Sequence, residues 1–339
     1  MKNPSKIKKW QLLSRRSREV CADLREEPFL SVGKRAFYGK KLLEEVLFPE
    51  GMTAVKTEAF YNCRRLKRVV LPRESNVGLS GSAFRGCRRL QEMEGWERIT
   101  QIGPRAFEGC TLLGEFIPGR DLRRLGERAF YGCVSLRQVT VPASVTSLGK
   151  EAFAACTELE SVTLEEGLVA LSPQMLAGCL SLKSIEFPYS LQELPRGVLQ
   201  NCSALEEISI HGEIRTVAKQ AFCGCRRLER VTMDLGVVAI GAGAFADTPC
   251  LREVTVPHSL KKLGWGAFGL GKAKEKITVY VDNEYMLRRM KRLLFLCGSL
   301  GRVQVILQGM TLEERKRARR RKSLDEAPVH LEHMDGDPQ

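Results

Sequence analysis

One phrase, LGERAFYGCVSLRQVTVP at Leu125–Pro142, returns with small changes along most of this 339-residue chain. We take the Phe of its AF pair, or the Leu that replaces it, as position zero. That position falls at Phe37, Phe60, Phe84, Phe107, Phe130, Phe153, Leu176, Leu199, Phe222, Phe245 and Phe268. Every interval is 23 residues except the 24 from Phe60 to Phe84. Eleven such steps make this a repeat protein, and each step must be one structural unit stacked on the next.

Within a step the apolar positions recur. An aliphatic stands five residues before zero, as at Val55, Ile102, Leu148 and Ile240. Cys stands three after zero at Cys63, Cys87, Cys110, Cys133, Cys156, Cys179, Cys202 and Cys225. Leu stands six after, and two more apolar residues follow at nine and eleven, as at Val139 and Val141. The last pair alternates in and out, which suits a short strand with one buried side. The preceding I-G-x-x-A-F-x-x-C suits a turn or short helix on the opposite wall. A single coil of this kind cannot bury its apolar side, whereas stacked coils cover one another. At about 4.8 Å per strand, eleven coils make a rod or arc on the order of 50 Å long.

The combination I-G-x-x-A-F-x-x-C-x-x-L-x-x-V-x-[VL]-P resembles the BspA-type leucine-rich repeats over roughly residues 30 to 281. The resemblance implies an α/β repeat fold, a leucine-rich-repeat solenoid of about eleven coils with helical caps. Proteins of that family are typically bacterial, are often exported or surface-bound, and bind other macromolecules. The resemblance implies no catalytic motif and no cofactor.

The charge is concentrated at the ends. Residues 1–18 carry seven basic side chains and no acid. Seven more cations fill 315–322: Arg315, Lys316, Arg317, Arg319, Arg320, Arg321 and Lys322. Together these equal the formal net charge of +14, so the solenoid itself is balanced. The expected organisation is a basic capping segment at 1–29, the solenoid at 30–281, a C-terminal cap at 282–310, and a basic helix with a polar tail at 311–339. In the first segment Trp10, Leu13, Val20 and Leu24 fit one side of a helix. The basic start is not followed by the apolar run of a signal peptide. No apolar stretch of 18 residues is present in the sequence. These points favour a cytoplasmic chain, with surface display or secretion by a non-classical route as the alternative. Asp282 or Asn283 is placed to N-cap a helix through Leu296 whose apolar side is Met286, Met290, Leu293 and Leu294. Val303–Leu307 reads as a last strand. Thr311 and Glu314 have the spacing of a capping box that opens the basic helix.

The cysteines, at one repeated position, read as a ladder of buried inert thiols, which fits a reducing compartment. Cys223 and Cys225 form a C-x-C pair without a second half, a poor zinc signal. The four histidines (His211, His258, His330 and His333) pair with no recurrent nucleophile, and no phosphate-binding glycine loop appears. An enzyme is not expected. The predicted binding surface is the row of outward strand positions at eight and ten after zero. It contains Glu45, Glu92, Glu94, Glu115, Glu186, Glu207 and Glu253 against Arg68 and Arg230, and no aromatic residue. Such a strip suits a basic protein partner, or the chain's own basic run as a self-inhibiting occupant. The basic run has a further reading, attraction of nucleic acid or an anionic membrane through phosphate. The functional expectation is a protein-interaction scaffold, with a surface adhesin and a nucleic-acid-associated protein as alternatives.

Overall fold

A computed structural model of the chain describes residues 20–27, 29–269 and 276–308. Each repeat closes into one coil with three walls; the turn wall is hydrogen-bonded from coil to coil, and the two strand walls pair in parallel within interrupted sheets. The first wall is the expected strand. Cys21–Asp23, Glu45–Leu47, Arg68–Val70 and Glu92–Glu94 pair in parallel as one sheet. Gln138–Val141 pairs with Ser161–Leu164. Glu207–Ile210, Arg230–Met233, Glu253–Val256, Ile277–Val281 and Val303–Leu307 form a third group. Residues opposite one another in the repeats are mostly 23 apart, so the apolar positions at nine and eleven fall into continuous buried rows. The wall has no strand at 115–117 or at 184–187. At the first break Pro118 occupies the eleventh position and has no N–H to donate to a ladder.

The second wall is a sheet of very short strands around the aliphatic five before zero. Ser31–Val32, Ala54–Val55, Val77–Leu79, Ile99–Ile102, Arg124–Leu125 and Ser147–Leu148 form one group. Glu193–Leu194, Thr216–Val217, Ala239–Ile240 and Lys262–Leu263 form another. The residue that makes one interval 24 lies in the loop between Val70 and Val77, since Leu47 pairs with Val70 at a spacing of 23 and Ala54 with Gly78 at 24. Two backbone N–H groups of that loop, at Arg73 and Glu74, donate to the Glu50 carboxylate at 2.8 and 3.1 Å.

The third wall is a row of turns. Across the coils the residues two before and two after zero are held at positive φ, for example Arg105 at 58° and Gly109 at 74°. This aims three N–H groups of each turn along the stack. Arg105 N donates to Glu127 O at 2.8 Å, Phe107 N to Ala129 O at 2.8 Å and Gly109 N to Tyr131 O at 2.9 Å. The choice between turn and short helix therefore resolves as turn: a helix would direct those donors within its own coil. The glycine of the I-G pair has a steric reason. A Cβ on Gly149 would stand 2.1 Å from Glu127 N of the preceding coil.

Aromatic rings fill the centre. Phe37, Phe60, Phe84, Phe107, Phe130 and Phe153 stack with centroids 4.9 to 5.5 Å apart and near-parallel planes. The stack resumes at Phe222, Phe245 and Phe268. Between them Leu176 and Leu199 are fully buried, beside Met175 and Val198 where other coils mostly carry Ala. The larger neighbour compensates for the missing ring.

The ends differ from expectation at one side. The predicted N-terminal helix is corrected where it is described: Cys21–Asp23 is a strand paired with Glu45–Leu47, Val20 is exposed and Leu24 is buried. The alternation of exposed Cys21 and Asp23 about buried Ala22 is a strand pattern, and the neighbouring coil supplies the ladder that a helix would leave unpaired. Trp10 and Leu13 lie outside the described residues. The sheet thus begins before residue 30, and the solenoid has about twelve coils. At the other end helix α1, Glu284–Leu296, forms as expected. Asn283 Oδ1 accepts from Met286 N at 2.8 Å, and Met286, Met290 and Leu294 are buried. Val303–Leu307 closes the sheet.

Candidate functional site

The predicted acidic strip lies on the outward side of the strand wall, and the register decides its charge. Glu45, Arg68 and Glu92 are direct neighbours across three strands. Arg68 meets Glu45, Glu92 (3.6 Å) and Glu94 (Nε to Oε1 3.1 Å). Arg230 likewise sits between Glu207 (3.6 Å) and Glu253 (3.3 Å). Five of the seven glutamates are therefore engaged by two arginines. Glu115 and Glu186 are exposed and have no ion pair among the described residues. Both lie where the strand wall is interrupted.

The turn wall carries a feature that the strand wall lacks. Along its outward crest in the first five coils, arginines lie over tyrosine rings: Arg35 over Tyr38 at 5.2 Å, Arg85 over Tyr61 at 5.8 Å and Arg128 over Tyr131 at 5.0 Å. Tyr38 and Tyr61 stack on each other at 4.9 Å. Carboxylates fill the gaps, with Arg35 on Glu58, Arg85 on Glu108 (3.0 Å) and Arg128 on Glu151 (2.6 Å). Arg35 holds the Glu58 carboxyl below its ordinary range. Burial alone would raise Glu151, but the hydrogen bonds and charges of Lys150 and Arg128 outweigh it and lower its pKa. Ring stacking and ion pairing along the stack thus fix these side chains before any partner arrives. The ridge lies away from the outward strand positions that form the acidic strip. The position one after zero, with Tyr38, Tyr61 and Tyr131, was the sequence signal for this ridge.

The thiols are structural. Each ladder Cys donates its S–H to the carbonyl of the zero residue one coil back, from Cys63 to Phe37 O at 3.0 Å through Cys225 to Leu199 O at 3.2 Å. The coil of Phe37 carries Lys40 at this place instead. In the tenth coil Thr248 occupies the place and donates to Phe245 O. Burial pushes the Cys156 and Cys225 thiols up to about 12. A thiol so raised supplies no thiolate near neutral pH. All twelve cysteines are free. Cys223 and Cys225 face different ways, one half-buried near Asp247 and the other in the ladder, so they do not form one ligand pair. His211 is buried against Tyr189 and meets Pro188 O at 3.1 Å, while His258 pairs with Asp282. No group of three or more metal-ligating side chains occurs among the described residues.

The model of the BspA type leucine rich repeat region matches residues 30–160 and 146–274, in six copies. The chain belongs to the BspA-type leucine-rich repeat family. A solved leucine-rich repeat protein from Bacteroides ovatus is 20% identical, with 85% of this chain and 92% of that one covered, at a TM-score of 0.43. The pneumococcal vaccine antigen PcpA is 16% identical over 86% of this chain and 79% of its own, at 0.46. A leucine rich cell surface protein from Faecalibacterium prausnitzii is 21% identical over 70% and 87%, at 0.35. No curated protein matches the chain.

In this BspA-type chain the repeat skeleton is spent on packing, and the variable positions make the two outward surfaces described above. Among the described residues no helix is long and apolar enough to cross a membrane. The basic run Arg315, Lys316, Arg317, Arg319, Arg320, Arg321 and Lys322 lies outside the described residues, as do the capping box at Thr311, the polar tail from Ser323, and His330 and His333.

Proposed function

We propose that this BspA-type solenoid is a non-enzymatic protein-binding scaffold, and that its partner docks on the arginine–tyrosine ridge of the first five coils. The observation that carries this reading is the threefold placement of a guanidinium over a tyrosine ring along one crest. Tyr and Arg are the residue types that anchor tight interfaces, and side chains already held in place lose less entropy on binding. The mixed charge of the crest suits a partner with both signs and exposed apolar groups, rather than a polyanion. The acidic strip is the second reading. Glu115 and Glu186, left without an arginine, favour a basic segment there, including the chain's own residues 315–322.

We place the protein in the cytoplasm, because free thiols at every Cys suit a reducing compartment. Surface display remains the alternative that the family suggests. Co-purification from the native host tests the scaffold reading. Tyr38→Ala, Tyr61→Ala and Tyr131→Ala in one chain should weaken binding of the major protein partner by on the order of 10,000-fold in affinity, since anchors of this type contribute roughly 2 kcal/mol each at the centre of an interface and every 1.4 kcal/mol is about tenfold. Retention of the partner by this variant, with loss on Glu115→Lys and Glu186→Lys, would move the interface to the strip.

A further inference from the structure

The C-terminal cap breaks the rule for solenoid ends. A cap should show water a polar outer face. Helix α1 instead exposes Tyr285 and Phe295 at 69% each and Leu296 at 61%. On a helix of 3.6 residues per turn these three share one outward arc of about 120° with Arg288, Arg289 and Arg292. The opposite side, Met286, Met290 and Leu294, is buried on the last coils. None of the three arginines has an ion pair among the described residues, and Glu284 is the helix's one acid. Lys261 of the eleventh coil completes an open groove of about 650 Å³ along this arc. Three large apolar groups in water are unfavourable by themselves, and interleaved cations do not remove that cost.

We propose that this outward arc of α1 is a docking surface for an anionic lipid bilayer. Arginines on such a face reach their guanidinium groups to headgroup phosphates while their stems lie along the apolar layer. Aromatic rings prefer the same boundary, and Phe295 and Leu296 enter the upper acyl region. Charge complementarity alone would also suit nucleic acid, but an aliphatic group such as Leu296 gives no base stacking, so the apolar half of the arc favours lipid. This places the rod end-on, with its C-terminal cap at the membrane. The ridge of the first five coils is then carried away from the surface. Seven more cations follow in the sequence between Arg315 and Lys322 and add long-range attraction of the same sign.

The test is co-sedimentation of the full chain with phosphatidylcholine vesicles, with and without one quarter phosphatidylglycerol. Binding is expected to the anionic vesicles only, and to weaken with salt. Arg288→Gln, Arg289→Gln and Arg292→Gln together should lower vesicle affinity by roughly 100-fold at low salt. Phe295→Ser with Leu296→Ser should lower it at least tenfold at any salt concentration. A Phe295→Trp variant should shift its emission to the blue and be quenched by brominated acyl chains. Arg288, Arg292, Phe295 and Leu296 are exposed and Arg289 is half-buried, so unchanged thermal unfolding serves as the control for folding. Changing the seven tail cations to Gln should leave cap-dependent binding in place. The proposal is overturned if the triple arginine variant binds like the parent, or if the tail variant loses all binding. It is also overturned if arginine removal matters while Phe295→Ser with Leu296→Ser does not, which would assign the arc to a soluble polyanion such as RNA or an acidic protein.

Discussion

At the scale of single residues, chemistry and packing separate cleanly in this chain. A repeated Cys is the residue type that most readily suggests reactivity, yet here a carbonyl one coil back takes its S–H and burial suppresses the thiolate. Timed alkylation of the native protein should therefore label Cys21 and Cys250 first, Cys223 next, and the eight ladder thiols only on unfolding; peptide mass mapping reads the order. Positive φ is the second residue-scale constraint. Ala155, at φ 59°, sits where Gly39, Gly86, Gly109, Gly132, Gly178 and Gly224 occupy the equivalent turn. Ala155→Gly should raise stability by up to about 1 kcal/mol in a denaturant or thermal melt, since glycine takes this conformation without a Cβ clash. The ladder of thiols was legible from the spacing alone, because eight equal steps place one small apolar group in one slot. The two positive-φ positions were not, since Arg105 or Glu151 before zero carries no conformational signature; only the glycine two after zero did. The neutralisation of the acidic strip was half legible: Arg68 and Arg230 stood in the same row as the glutamates, but their contacts needed the register.

At the scale of elements, the seventh coil is the weak step of the stack. Both strand walls lack a strand there, at 170–171 and 184–187, and the ring stack is interrupted at Leu176 and Leu199. The turn wall alone runs through, with Phe153 N on Met175 O and Leu176 N on Val198 O. The partner of the replacement of Phe by Leu is the larger neighbour, Met175 or Val198, where the other coils carry Ala. Leu176→Phe alone should overfill the core and cost about 1–3 kcal/mol. Adding Met175→Ala to Leu176→Phe should restore most of that loss, and urea melts of the parent, single and double variants read the difference. The strand in place of a helix at the N-terminal end belongs to this scale too. Val20 and Leu24 are four apart, a helix spacing, but the intervening Cys21–Asp23 alternates, and the unpaired edge of the first coil takes it as a strand.

At the scale of the whole molecule, a stack joined on three walls leaves function to what each wall shows to solvent. The strand wall shows mostly self-paired charge, and the turn wall shows prearranged arginine and tyrosine. The family and the repeat frame were readable from the sequence over most of the chain; which outward row binds was not, because a row's charge and rigidity depend on neighbours 23 residues away. The proposed docking face is the ridge of Tyr38, Tyr61 and Tyr131. The most direct measurement is photo-crosslinking in the native host, with a photoreactive residue placed singly at Tyr38, Tyr61 or Tyr131 on the ridge and at Gln138, Ser161 or Ser209 on the strand wall. Docking on the ridge should give crosslinks to one discrete protein from the ridge positions and none from the strand positions. Crosslinks confined to the strand positions would contradict it.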